Sequence, residues 1–191
     1  MTDITSDSVA ARRASRSSSA AAGAGEASRA PLDDASREEL VACVELLFFA
    51  YRDFTGGPDA VLAEYGFGRA HHRVLHFVHR NPGLRVADLL DILKITKQSL
   101  ARVLKQLIDK GFIMQRAGND DRRERRLFVT AKGGRLADKL SAQQMQHIEV
   151  ALAKVGPGAA EFARRFLFAM IAESDRPRVE ALVKLASGTR T

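Results

Sequence analysis

The stretch from Thr96 to Gly111, T-K-Q-S-L-A-R-V-L-K-Q-L-I-D-K-G, decides how the rest of the chain is read. It predicts one amphipathic helix with both ends marked. The Thr96 hydroxyl can cap the first turn, and Gly111 can adopt the left-handed conformation that closes the last. Leu100, Val103, Leu104, Leu107 and Ile108 recur at i, i+3, i+4, i+7 and i+8, which makes a single apolar stripe. The opposite face carries Gln98, Ser99, Arg102, Lys105 and Gln106, with no carboxylate until Asp109. A merely solvated helix face usually mixes both signs of charge. Amides, a hydroxyl and cations without acids are the groups that bond base edges and phosphates, so a recognition helix is expected here.

The residues on either side fit that expectation. Ala87 to Leu93 predicts a short helix with Leu89, Leu90 and Leu93 apolar, and Lys94-Ile95 is a tight turn into the next helix. Two short helices joined this way make a helix-turn-helix. Upstream, Arg69 to Arg80 is helical with Val74, Leu75 and Val78 inward, Asn81-Pro82-Gly83 is a turn, and Leu84 to Val86 can add a short strand. Downstream the period changes. Phe112–Arg116 and Arg125–Val129 are β-like runs on either side of the polar tip A-G-N-D-D-R-R-E, a hairpin that would form a wing.

Charge follows the same segment. The 191 residues carry a formal net charge of +7, and the pI is about 10. Between Arg69 and Arg135 there are 16 Lys/Arg against 6 Asp/Glu, a net of +10; the remainder holds 14 against 17, a net of −3. A basic patch confined to the helix-turn-helix points to a polyanionic partner. A small-molecule-binding protein with incidental basicity, or a winged-helix module for protein or RNA contacts, remains the alternative.

The outer segments read as supports. Residues 1–34 are low-complexity, with S-R-S-S-S-A-A-A-G-A-G at their centre, and are expected to form a disordered arm. Ser36 with Glu39 predicts a capping box for a helix to Phe54, apolar nearly all round from Leu40 onwards. Gly56-Gly57-Pro58 is expected to break it, with a short irregular segment to Gly68. Thr130 can cap a long helix from Ala131 to Val155, which Gly156-Pro157-Gly158 ends. A further helix over Ala159–Glu173 is rich in Phe162, Phe166, Phe168 and Met170, and Asp175 is expected to cap a last one through Leu185. The first and last helices offer more apolar surface than one subunit can cover, so a second copy is the economical explanation.

In this order the elements resemble the MarR family of winged helix-turn-helix regulators. The wing is the most specific match: Asp121-Arg122-Arg123, then Val129-Thr130 and Lys132-Gly133, are similar to the family's D-x-R … L-T-x-x-G signature, with Val129 in place of the usual Leu. The resemblance covers residues 36–185. It implies a mainly α fold with a small β-hairpin wing, in which 69–130 form the DNA-binding part and 36–68 and 131–187 the dimerisation helices. It further implies a homodimer on a palindromic operator of double-stranded DNA, open to a small-molecule effector or an oxidant. On this basis Gln98, Ser99 and Arg102 read the major groove, while Thr96, Lys97 and Lys105 hold phosphates. Arg122, Arg123, Arg125 and Arg126 belong to the wing; the resemblance gives Arg123 the minor groove and has Asp121 steady the loop.

Other chemistry has little footing. No nucleophile–base pair, phosphate-binding glycine loop or paired carboxylates in a catalytic setting is present, so neither an enzyme nor a cofactor is expected. His72, His76 and His79 share a helix face with no acidic or cysteine ligand nearby, so packing and phosphate contacts are expected rather than a metal. The single cysteine, Cys43, excludes an internal disulfide and reads as a small core residue, although some oxidant-sensing members of the resembled family keep a reactive cysteine in this helix. No apolar run is long enough to cross a membrane and there is no secretory h-region, so a cytoplasmic protein is expected.

Overall fold

The structure, a computed structural model, describes residues 33–118 and 124–183. The expected arm up to residue 32, the wing-tip residues Asp121, Arg122 and Arg123, and the chain beyond Val183 lie outside the described residues. The described residues fall into two units that divide between Val44 and Glu45. Helix α1 (Asp34–Ala63) begins in the first unit. Its cap is Asp33 rather than Ser36: Asp33 Oδ1 accepts the Ser36 N–H at 2.7 Å. That places the capping carboxylate three residues earlier than the capping box predicted, and the Ser36 contribution is its backbone donor.

The break expected at Gly56-Gly57-Pro58 is absent. Helix α1 runs through it with Pro58 inside. Two glycines and a proline cost a helix on the order of 5 kcal/mol in propensity. Burial of Thr55, Pro58, Val61 and Leu62 offsets this, since each fully buried Val or Leu contributes roughly 1.5–3 kcal/mol. Thr55 also donates its hydroxyl to Tyr51 O at 2.9 Å within the same helix. Gly57 lets Gln143 approach, with Gln143 Oε1 only 3.4 Å from where a Cβ would sit.

The remaining helices are α2 (Arg69–Arg80), α3 (Val86–Leu93), α4 (Lys97–Asp109), α5 (Ala131–Val155), α6 (Ala159–Ala169) and α7 (Arg176–Val183). Helix α6 stops earlier than expected. A 3-10 turn, Glu173–Asp175, then leads into α7. Asp175 precedes α7, but its carboxylate pairs with Lys94 Nζ at 3.0 Å. The strands β1 (Leu84–Arg85), β2 (Ile113–Ala117) and β3 (Arg125–Val129) form one antiparallel sheet in the order β1-β3-β2. Ile113 pairs with Val129 and Ala117 with Arg125, which is the hairpin register of a wing.

One core sits between these elements. Leu62 of α1, Val74, Leu75 and Val78 of α2, Leu89 of α3, the α4 stripe, Phe112, Leu127 and Leu140 form a single buried cluster. The face of α4 that packs here is Leu100, Val103, Leu104 and Leu107, as its periodicity predicts. The opposite face is thereby turned to solvent.

Burial also sets a pH response. Desolvation lowers the pKa of both His72 and His76 on α2; Arg80 adds to it at His76, while Asp59 opposes it at His72. Both are therefore held neutral in the folded state. Stability from neutral burial is fully present above the unfolded histidine pKa of about 6.5 and is lost as pH falls through the folded values. Thermal melting should accordingly weaken between pH 7.5 and 5.5, and a His72→Leu, His76→Leu double substitution should flatten that slope. An unchanged slope in the double variant would assign the acid response to other groups.

Candidate nucleic-acid interface

The recognition helix is fixed at both ends by its own sequence. Thr96 Oγ1 accepts the Ser99 N–H at 3.1 Å and donates to Ser99 Oγ at 2.9 Å. The Thr96 hydroxyl is thus committed to the cap, and the Ser99 hydroxyl keeps its own proton for an outside acceptor. At the far end Gly111 has φ +72°, its N–H bonds Ile108 O at 2.9 Å, and the Phe112 N–H bonds Leu107 O at 2.8 Å. These two bonds make a Schellman close, which the glycine permits. The turn before α4 is sharp because Lys94 adopts φ 51°, a left-handed conformation uncommon for a side-chain-bearing residue.

Lys97, Gln98, Ser99, Arg102, Lys105 and Gln106 are all exposed on α4. Among the described residues, Lys97 and Arg102 lie within ion-pair distance of no carboxylate, whereas Lys105 Nζ is 2.6 Å from Asp109 Oδ2. That pair is itself highly exposed, so it holds Lys105 only weakly against a competing phosphate. Gln106 differs from the others: its Oε1 lies 2.6 Å from His71 Nε2 on α2. The pattern that grouped Gln106 with the outward residues missed this tie, because a helical wheel cannot see a partner 35 residues away.

The wing brings further cations to the same edge. An open groove of about 620 Å³ runs between α3, α4 and the sheet, with Leu90, Leu104 and Ile108 in its floor and Lys97, Lys105 and Arg125 at its rim. Arg125 is exposed; Arg126 is half-buried, and its Nε is 2.7 Å from Glu124 Oε1, close but not aligned as a hydrogen bond. Arg85 reaches the other Glu124 oxygen at 3.9 Å and makes a two-point pair with Asp88, holding the Asp88 carboxyl below its ordinary pKa. Arg126 and Arg85 thus flank the Glu124 carboxylate at the base of the wing. Arg125 on β3 is exposed, as is Arg116 on β2 of the same hairpin.

The histidines are placed in structural roles. His71 is buried, and His79 Nε2 sits 2.9 Å from Asp138 Oδ1 on α5. Among the described residues no group of three or more potential metal ligands is assembled. Cys43 is exposed on α1, which corrects the expectation of a core residue: the helix around it is apolar but uncovered among the described residues. No helix among the described residues is long and apolar enough to cross a membrane.

A two-helix reader with a basic polar face, buttressed by a winged sheet, defines a winged helix-turn-helix transcriptional regulator. The chain belongs to the MarR family, whose sequence profile matches residues 65–124. It is 44% identical over 145 residues to the HTH-type transcriptional regulator PetP of Rhodobacter capsulatus, covering 76% of this chain and 87% of that protein. Its fold is similar to the crystal structure of MarR, with a TM-score of 0.57 at 22% identity over 74% of this chain and 94% of the other. The fold of the S. aureus MepR–DNA complex is similar as well, with a TM-score of 0.55 at 17% identity, covering 66% and 94%. This is a transcriptional regulator and not an enzyme.

Proposed function

We propose that the chain acts as a homodimer that binds a palindromic site on double-stranded DNA, with one α4 in each of two successive major grooves. The observation that carries this reading is the solvent face of α4, where Gln98, Ser99 and Arg102 stand clear of the core and Lys97 flanks them. Gln98, Ser99 and Arg102 read base edges. Lys97 and Lys105 hold phosphates, with Thr96 contributing through the cap that orients the first turn. Arg125 and the tip residues Arg122 and Arg123 reach the flanking minor groove, where a narrow A·T-rich stretch concentrates negative potential. Residues 69–130 are the DNA-binding part, and 36–68 with 131–187 assemble the dimer, so that the operator's symmetry repeats the protein's own. The likeness to a protein solved on DNA supports this reading at the level of fold.

The test separates reading from holding. A salt titration compares Arg102→Ala, Lys105→Ala and Arg123→Ala on a duplex selected by the wild type, on a flank-swapped duplex and on random DNA. Arg102→Ala should cost about 1–3 kcal/mol on the selected duplex and blur preference at one base pair per half-site. Lys105→Ala should weaken all sequences alike and lower the salt slope by about one unit. Arg123→Ala should weaken binding most on A·T-rich flanks. Loss of affinity by Arg102→Ala equally on all three duplexes would show that Arg102 only holds the backbone. Absence of any salt-dependent duplex binding would return the chain to a protein- or RNA-binding winged helix.

A further inference from the structure

The buried His71 ring makes two polar contacts, and together they fix its protonation. The Gly68 backbone N–H lies 3.1 Å from Nδ1, and a backbone N–H can only donate. Nδ1 is therefore the bare acceptor, and the proton of the neutral ring resides on Nε2. Nε2–H then donates to Gln106 at 2.6 Å, so the Gln106 amide must present Oε1 to His71 and its NH2 away from it. A flipped amide would set a donor against a donor. The ring itself cannot swing, because it stacks on Phe67 with centroids 4.6 Å apart and planes 15° from parallel. Phe67 is in turn pinned edge-on against Phe112 at 5.2 Å, and Lys110 Nζ lies over its ring at 5.0 Å.

Gln98, Arg102 and Gln106 follow one another at i, i+4 and i+8, so they form one line that winds round α4 toward α2, with Lys110 next along it at the C-cap. The C-terminal half of that line is held by the 67–71 segment, through His71 on Gln106 and through Lys110 on Phe67. The N-terminal half is the proposed reader. We propose that His71, as a positioning residue, locks Gln106 with its amide NH2 outward, so that Gln106 is a fixed donor to the DNA in line with Gln98 and Arg102. This rests on the DNA-binding reading above and adds to it a contact and the residue that sets it. The contact falls in the third turn of α4, beyond the base-reading residues. A preset donor there suits a phosphate oxygen: it loses little freedom on binding and carries no sequence information.

The experiment uses the full chain, a duplex selected by the wild type from a random pool, and four variants. Gln106→Ala should weaken binding about three- to tenfold on every sequence, the effect of one lost neutral hydrogen bond. Gln106→Glu keeps an acceptor for His71 but turns an oxygen to the DNA, and should weaken binding further than Gln106→Ala with thermal stability little changed. His71→Ala should match Gln106→Ala, the two together should lose no more than either alone, and His71→Gln, whose amide can still donate to Gln106, should recover most of the affinity. A nitrogen-15 spectrum of the ring gives a readout independent of DNA, with Nε2 protonated and Nδ1 bare. Additive losses, failure of His71→Gln to recover binding, or a protonated Nδ1 in the neutral ring would overturn the inference while leaving the DNA-binding reading intact. A wild type that selects no duplex would overturn both.

Discussion

Replacing Gly133 by alanine is expected to cost about 3 kcal/mol or more of folding stability, a large share of the 5–15 kcal/mol that holds a domain together. A Cβ added at Gly133 would lie 2.0 Å from Phe112 O and 2.9 Å from Phe112 C. Both are backbone atoms, so no side chain can swing aside to make room. Relief requires α5 to move away from the end of α4, and that junction is dense with hydrogen bonds. Phe112 O accepts the Thr130 N–H at 3.0 Å, Thr130 Oγ1 donates to Gly111 O at 2.7 Å and accepts the Gly133 N–H at 3.1 Å. Lys132 Nζ adds a bond to Lys110 O at 3.0 Å. A shift of an ångström would weaken several of these together and pull on the Schellman close of the recognition helix. The adjacent glycine is the control. A Cβ at Gly134 would meet His79 Cε1 at 3.7 Å, an ordinary contact. Gly134→Ala should therefore be neutral or stabilise by up to about 1 kcal/mol, the helix propensity gain alone. Denaturant melts at one fixed protein concentration would decide between these outcomes. Equal effects from the two substitutions would show that the α5 junction yields, and that the close approach is not a constraint.

The same glycine shows how far the sequence could be read. Thr130 and Gly133 are legible as a match to a family signature, but the pattern alone does not say why a glycine stands there. The reason is a carbonyl contributed from 21 residues earlier, and no local rule contains it. By contrast, Thr96 and Gly111 act through neighbours within a few residues, so their roles could be read directly and the structure has both in place. The α4 stripe and the hairpin, though not its register, were legible for a related reason: period and turn chemistry are local. Where local signals and packing conflicted, packing prevailed. Gly56-Gly57-Pro58 carries every sign of a break, yet burial of Pro58, Val61 and Leu62 keeps α1 continuous. Of the interface, Gln98, Ser99, Arg102 and Lys97 emerged where a helical wheel puts them, facing solvent. Gln106 is exposed with them, but its tie to His71, like that of Arg126 to Glu124, was not legible, because these partners depend on how α2 crosses α4 and on how the wing folds.

A single glutamate at Phe166 is expected to dissociate the protein and to lower its folding stability with it. The physical ground is the amount of apolar surface that the described chain leaves in water. On α1, Leu46, Phe48 and Phe49 are 65%, 69% and 56% exposed, and on α6 Phe162 and Phe166 are 73% and 48% exposed. Phe162 and Phe166 stack 6.3 Å apart on one side of α6, forming a ledge rather than scattered singletons. Apolar patches of this extent are rare on soluble monomers, and burying them against a second copy would contribute roughly 25 cal/mol per Å² before the costs of association. In a two-fold dimer each ledge is used twice, so one substitution places two charges in the interface. Each would be stripped of water on burial, which costs several kcal/mol per charge. Wild type should sediment at twice the 20.9 kDa chain mass at micromolar concentration, and Phe166→Glu and Phe48→Glu should each shift it toward the single chain and lower the melting temperature. Lys139→Glu, which introduces the same side chain at an exposed site on α5, should leave assembly unchanged. Because a palindromic site requires two linked readers, Phe166→Glu should also lose preference for the full site over a half-site, while its α4 remains chemically intact. A wild type that sediments as a stable monomer, or a Phe166→Glu variant that stays dimeric, would remove these faces from the assembly and require another cover for them.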